Sequence, residues 1–258
     1  MPERDLRLLL DAAKAAGDIA KRHFRGSFDV TDKGNDQGPV TEADLEIDAM
    51  LKAELLSNRP DYGWLSEETE DSADRLTREH VFIIDPIDGT RSFVAGSTTF
   101  AHSLAIARNG IVVSAVVFLP MRDLMYQAVA GGGAILNGEK AVASDRETVV
   151  NARILAAKPQ FSEALWPGGV PDIDRHFRSS LAYRMCLVAS GRFDGMITLR
   201  DAWEWDIAAG DLICREAGAT CTDRHGVNLR FNNPRAKTAG VLAAGRAVHS
   251  GLMGHLRA

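Results

Sequence analysis

Cysteine is scarce in this chain: Cys186, Cys214 and Cys221 are the only three among 258 residues, and none shows Cys-x-x-Cys spacing. An odd count without that spacing argues against a disulfide framework or a zinc knot, so small buried side chains are expected instead. Long apolar runs are missing as well. No stretch approaches the ~20 residues needed to cross a bilayer, and Met1-Pro2-Glu3-Arg4-Asp5 lacks the basic-then-apolar order of a signal peptide. A cytoplasmic protein without membrane contact is expected. Nor is there an excess of basic residues: 30 Lys and Arg stand against 35 Asp and Glu, a net charge of −5, which argues against holding a nucleic acid polymer by its phosphates. Repeats and low-complexity segments are not evident. With 45% apolar and 25% charged residues, the chain has the composition of a globular protein and is long enough for one large domain or two lobes.

The most informative stretch is Val81-Phe82-Ile83-Ile84-Asp85-Pro86-Ile87-Asp88-Gly89-Thr90. Four apolar residues, two of them isoleucine, read as a buried strand because β-branched side chains fit a pleated sheet. Pro86 is expected to stop that strand and hold Asp85 extended, and Gly89 to permit a turn that opens backbone N–H groups. Asp85 and Asp88 then face one cavity. Two carboxylates so placed repel each other unless protons or cations intervene, and oxygen ligands favour Mg2+, Mn2+ or Ca2+ over zinc. Asp-Gly-Thr by itself is also a common turn.

Along the rest of the chain, Leu6, Leu9, Leu10, Ala13, Ala16, Ala20 and Phe24 share one helical face, and the polar stretch Thr31 to Gly38 reads as a long loop. Thr41-Glu42-Ala43-Asp44 is a helix start of capping-box type, which by spacing alone gives Thr41 and Asp44 a capping role. Trp64-Leu65-Ser66-Glu67-Glu68 is a short strand running into acids. Phe100 to Ala107 and Ile111 to Leu119 flank Asn109-Gly110, a hairpin signal. Leu124 to Ala130 and Ala134 to Leu136 extend an antiparallel sheet, with the triple glycine 131–133 as a turn, since no Lys-Ser/Thr follows it. The second half alternates: strand Ala152 to Ala157, helix Ser180 to Ser190, strand Gly195 to Leu199, helix Asp206 to Ala217, strands Ala219 to Thr222 and Ala239 to Ala244, and a last helix to Leu256. This divides the chain into a lobe over 1–145 and a second over 146–258.

Four segments, Pro39-Val40-Thr41-Glu42-Ala43-Asp44, Leu65-Ser66-Glu67-Glu68, Asp85 to Thr90 and Trp205-Asp206-Ile207-Ala208-Ala209-Gly210, together resemble the inositol monophosphatase superfamily of metal-dependent, lithium-sensitive phosphomonoesterases. The resemblance covers nearly the whole chain. It implies an α/β/α/β/α layered sandwich of the inositol monophosphatase and fructose-1,6-bisphosphatase type. It also implies that Glu67, Asp85 and the Ile87 carbonyl hold one Mg2+, that Asp85, Asp88 and Asp206 hold a second, and that Asp44 and Glu67 lie near a third, weaker ion or its waters. Mn2+ would substitute, and Ca2+ and Li+ would inhibit. Metal-activated water would attack phosphorus, oriented by Glu67 and by a Thr90 to Asp44 hydrogen bond. Gly89 and Thr90 would offer N–H groups to the phosphate, and Lys33 would approach it from a mobile loop. The substrate would be a small phosphorylated metabolite, and members are commonly homodimers.

The leaving group is read by other residues. Inositol-specific members carry a glutamate seven residues before the Trp-Asp aspartate, where this chain has Leu199. Members cleaving 3'(2'),5'-bisphosphate nucleotides also lack it, and often place a basic residue where Arg184 stands. Arg184 or Arg200 could meet a second phosphate with a guanidinium fork. Ser179 replaces a glycine common at that helix start. The preferred expectation is a 3'(2'),5'-bisphosphate nucleotidase converting adenosine 3',5'-bisphosphate to AMP and phosphate. The alternatives are an inositol-1-monophosphatase, another sugar or histidinol phosphate phosphatase, and a non-catalytic metal-binding regulatory protein on the same scaffold.

Overall fold

A computed structural model of the chain describes residues 2–26, 30–32 and 39–257. Lys33 and the polar segment 33–38 lie outside the described residues. Helix α1 (Pro2–His23) forms where the apolar spacing predicts it, and Leu9, Ala13, Ala16 and Ala20 are buried. A short antiparallel pair, β1 (Val30–Asp32) and β2 (Pro39–Thr41), leads to α2 (Glu42–Asn58), which Thr41 caps reciprocally with Asp44.

The first large sheet is built from β3 (Gly63–Ser66), β4 (His80–Asp88), β5 (Ala101–Arg108), β6 (Ile111–Leu119), β7 (Leu124–Val129), β8 (Ala134–Leu136) and β9 (Glu139–Ala141), hydrogen-bonded in that order, with α3 (Thr90–Val94) between β4 and β5. Two expectations are corrected. The sheet is mixed, because β3 runs parallel to β4. Pro86 does not end β4: the strand continues to Asp88 while its register against β5 shifts between Asp85 and Asp88, a bulge that relieves the hydrogen-bond demand a proline cannot meet.

A second sheet combines β10 (Ala152–Leu155), β11 (Ile173–His176), β12 (Gly195–Thr198), β14 (Thr220–Thr222) and β16 (Val241–Ala244) in the order β11-β10-β12-β16-β14. Between its strands come α4 (Leu181–Ala189), β13 (Ala202–Trp203), α5 (Glu204–Glu216) and β15 (Lys237–Thr238), and α6 (Arg246–Arg257) follows. The α5 helix starts at Glu204, two positions before the expected Asp206. Strands β11, β13 and β15 are too short or too polar to be read from alternation. None of the described helices is long and apolar enough to cross a membrane.

Three buried clusters define five layers. Leu9, Ala16, Ile47 and Leu51 of α1 and α2 meet Phe82, Ile84, Leu104 and Val116 on one face of the first sheet. On its other face, Ile83, Ala105, Ala115 and Val117 meet Met185, Leu187, Ala208 and Leu212 of α4 and α5, which also cover Leu155, Met196 and Ala243 of the second sheet. Val248, Leu252 and Met253 of α6 close the far side on Ile154, Ile197 and Leu242. All three cysteines are buried and free, as expected.

The central helix pair is tight. A Cβ at Gly210 would lie 2.7 Å from the Met185 Cβ and 2.6 Å from its sulfur, closer than carbon and sulfur can approach. Gly210→Ala is therefore expected to destabilise the protein by about 1–3 kcal/mol, read as a lower urea midpoint with unchanged m-value; a midpoint equal to the parent's would contradict that close contact.

Candidate active site

The end of β4 is the floor of a cleft of about 790 Å³ lined on one side by Glu67, Asp85, Asp88, Gly89 and Thr90 and on the other by Arg184, Arg200, Trp203, Trp205, Asp206 and Lys237. Strand β3 delivers Glu67 just beyond its last residue, and the bulge in β4 turns both Asp85 and Asp88 toward the cleft. Asp206 comes from the first turn of α5, where the Ser103 hydroxyl of β5 donates to the Trp205 carbonyl at 2.9 Å and ties the helix start to the first sheet. One oxygen each of Glu67, Asp85 and Asp206 lie within 4.8 Å of one another.

Asp85 is 1% exposed and, among the described residues, neither of its carboxylate oxygens has a hydrogen-bond donor. Burial first, and then the charges of Glu67, Asp88 and Asp206, push its pKa well above the ordinary range. Burial and the charges of Asp88 and Glu67 do the same to Asp206. Asp85 and Asp206 approach closely enough to share a proton when one is protonated, but as two carboxylates neither can donate. A buried acid without a donor, facing two more acids, has the donor set of a hard divalent cation, so the residues present fit Mg2+.

Asp88 differs from this group. Its Oδ2 accepts from the Ser180 hydroxyl and the Ala182 N–H, both at 2.7 Å, so only its other oxygen is left for the cleft. Burial raises its pKa and these two donors counter the rise. Ser180 caps α4 with φ +66°, a left-handed conformation costly for serine, and the strain directs its hydroxyl at Asp88. Asp44 is also occupied. Its Oδ2 accepts from the Thr41 N–H at 2.8 Å and the Thr41 hydroxyl at 2.5 Å, while its Oδ1 lies 3.2 Å from the Thr90 hydroxyl. The Thr90 proton can go to Asp44 or to the Ile87 carbonyl at 3.1 Å, one at a time. Burial raises the Asp44 pKa to about 6 against these hydrogen bonds.

Arg184 is held by its Nε donation to the Arg178 carbonyl at 2.5 Å and lies 4.6 Å from the Phe177 ring centroid. Burial lowers its pKa, Asp88 raises it, and Arg200 lowers it further, so the two guanidinium groups are close enough to repel each other. Leu199 turns away into the core beside Ile197 and Leu242, and its N–H is held by Gln160 at 2.6 Å. Ser179 lines the cleft, donating to the Thr99 carbonyl at 2.9 Å.

The structure adds supports that the sequence did not single out. Asp48, one helical turn beyond Asp44, accepts from Ser66 and Thr69, both at 2.5 Å, and so brackets Glu67 and Glu68. Its i, i+4 spacing from Asp44 was the available signal. His102 of β5 is fully buried, and the Pro86 carbonyl beside its Nδ1 fixes that nitrogen as the donor, leaving Nε2 without a partner among the described residues. Nothing in the local sequence points to that contact, because it spans two strands at the bulge.

A family model described as the inositol monophosphatase family matches residues 1–258. The chain is 38% identical over 197 residues to an inositol-1-monophosphatase from Rhizobium meliloti, covering 72% of this chain and 73% of that one. It is 32% identical over 243 residues to an inositol-1-monophosphatase from Mesorhizobium japonicum, covering 88% of each. Among solved structures, the extragenic suppressor protein SuhB of Bartonella henselae matches with a TM-score of 0.84 and 28% identity, covering 98% of both chains.

Removing one of the repelling charges should relieve the metal-free protein. Asp85→Asn is expected to raise the metal-free Tm by about 2–8 °C and to abolish the further rise that Mg2+ gives the parent; a lower metal-free Tm would contradict the repulsion. Burial lowers the His102 pKa from its ordinary 6.5 to about 4. Between those values the unfolded chain binds the proton and the folded one does not, so the His102 contribution is complete above pH 6.5 and is lost as pH falls toward 4. The stability gap between the parent and His102→Val should shift against the parent by up to about 3 kcal/mol over that window, and urea melts showing a pH-independent gap would overturn this.

Proposed function

From the premise that the chain belongs to the inositol monophosphatase family, whose members are metal-dependent phosphomonoesterases acting on small phosphorylated substrates, we propose that it is a 3'(2'),5'-bisphosphate nucleotidase. It would convert adenosine 3',5'-bisphosphate to AMP and phosphate. The observation that carries this reading is the leaving-group side of the cleft. Position 199, where inositol-specific members place a glutamate, is a leucine turned into the core, and the residues facing the cleft beside it are Arg200 and Arg184. Cations there suit a second phosphate and do not suit neutral hydroxyls.

Glu67, Asp85, the Ile87 carbonyl, Asp88 and Asp206 would hold two Mg2+ ions, whose charge screens the phosphate dianion and makes water more acidic. A third, weaker ion near Asp44 and Glu67, replacement by Mn2+ and inhibition by Ca2+ or Li+ belong to the same proposal. Thr90, its hydroxyl donating to Asp44, would turn an oxygen lone pair toward the attacking water, which Glu67 would also orient. Gly89, with φ +104°, lets the chain turn so that Thr90 sits on the cleft floor facing the phosphate. Ser180 and Ala182 keep Asp88 in place while the ester bond breaks. Lys33 would contribute from the segment outside the described residues. A second reading, inositol-1-phosphate hydrolysis, is supported by the names of the Rhizobium meliloti and Mesorhizobium japonicum relatives.

One comparison separates the two. On a single preparation with Mg2+, kcat/KM for adenosine 3',5'-bisphosphate should exceed that for inositol 1-phosphate, and Arg184→Ala should lower their ratio about tenfold or more, the effect of losing a charge-assisted hydrogen bond. A ratio favouring inositol 1-phosphate would replace the nucleotide reading with the inositol one.

A further inference from the structure

The two-stranded ribbon β13–β15 forms one rim of the cleft and is unused by the chemistry described above. Its register sets Ala202 opposite Thr238 and Trp203 opposite Lys237. Side chains directly opposite in an antiparallel pair lie on the same face, and the Lys237 ammonium accordingly lies 3.8 Å from the Trp203 ring centroid. Trp203 is itself stacked on Trp205, with centroids 4.6 Å apart and planes 11° from parallel, and Trp205 adjoins Asp206. The ammonium is thus seated on an aromatic stack that leads back to the metal-ligand cluster.

The ribbon is fixed from behind. Glu204, fully buried, accepts the Asn232 N–H at 2.6 Å, the Asn233 N–H at 2.8 Å and the Asn233 side-chain amide at 2.7 Å. Arg75, also buried, donates to the Asn232 side chain at 2.6 Å and the Asn233 carbonyl at 2.9 Å. These bonds anchor the segment that enters β15, so Lys237 is held at both its backbone and its tip.

The Lys237 charge acts on Asp201 from a distance without forming an ion pair among the described residues. The nearby acid Asp201 is engaged by Arg224 at 2.8 Å, and among the described residues Lys237 has no ion-pair partner. The other cleft cations differ from it. Arg184 lies beside Asp88 with its Nε given to the Arg178 carbonyl, whereas Arg200 is exposed and no described side chain fixes it. A cation already immobilised loses less side-chain entropy when it meets an anion, and an ammonium over an aromatic face still directs N–H groups outward.

We propose that Lys237, seated on Trp203, joins Arg184 and Arg200 in selecting a substrate that bears a second anionic group, binding the phosphate carried on the leaving portion. The proposal rests on the bisphosphate reading above and names a further group that enforces it. Trp203 acts as the support that sets the position of the ammonium.

The test compares adenosine 3',5'-bisphosphate with adenosine 3'-monophosphate on the parent, Lys237→Met and Lys237→Arg, each verified as folded by its Tm. The parent should favour the bisphosphate. In Lys237→Met the ratio of the two kcat/KM values should fall about tenfold, through KM for the bisphosphate and not through kcat, while Lys237→Arg should retain the ratio to within about threefold because a cation still covers the ring. A parent that prefers the bisphosphate together with a Lys237→Met ratio within about twofold of the parent's overturns the role of Lys237 alone. A parent that does not distinguish the two nucleotides overturns the bisphosphate reading and this proposal with it.

Discussion

Mutual repulsion among carboxylates gathered around a buried Asp85 is the constraint to which the rest of this structure answers. Asp85 has almost no solvent and, among the described residues, no donor, and Glu67 and Asp206 bring an oxygen each within 4.8 Å of its own. Such a group is unfavourable unless protons or a cation enter it. Every element that meets there is held by contacts made elsewhere: β3 and β4 by their parallel ladder, the β4 bulge by β5, and the start of α5 by the Ser103 bond to the Trp205 carbonyl. The charge is gathered at one point because the surrounding layers are too well packed to let it separate.

The central layer does most of this. Helices α4 and α5 contact both sheets, and α5 carries Asp206 at its start and Gly210 one turn later, where its backbone lies directly on Met185. The same helix places Glu204 behind the cleft, anchoring residues 232 and 233 and, through them, the β13–β15 ribbon. Two acids in the first turn of a single helix thus face opposite tasks. Asp206 stays open to the cleft, while Glu204 is saturated by three N–H donors.

Much of the site could be read from the chain because its parts are local. The capping box of Thr41 and Asp44, the acids after β3 and at the end of β4, and the Trp-Asp start of α5 each lie within a few residues; spacing gave the cap and the Asp85–Asp88 pair, and the family resemblance of the four segments implied the rest. The strand through Pro86 could not be read, since a bulge is a property of two strands in register. The grip of Ser180 on Asp88 joins residues 92 positions apart. His102 meets Pro86 across a ladder, and Lys237 reaches Trp203 only through a ribbon too short to show alternation.

Family resemblance pointed to Glu67 and Asp206 as partners of Asp85 and to a phosphate beside them; the sequence by itself determined where most helices and strands begin and end, and that a divalent cation suits Asp85 and Asp88. These follow from short-range rules, in which side-chain chemistry and backbone preference act over a few positions. Tertiary structure alone decided which oxygens remain open, that Leu199 faces the core while Arg200 faces the cleft, and that Lys237 rests on an aromatic stack with no ion-pair partner among the described residues. Those outcomes depend on register and on packing between distant segments. No local pattern fixes them, because the same residues in another register would point elsewhere.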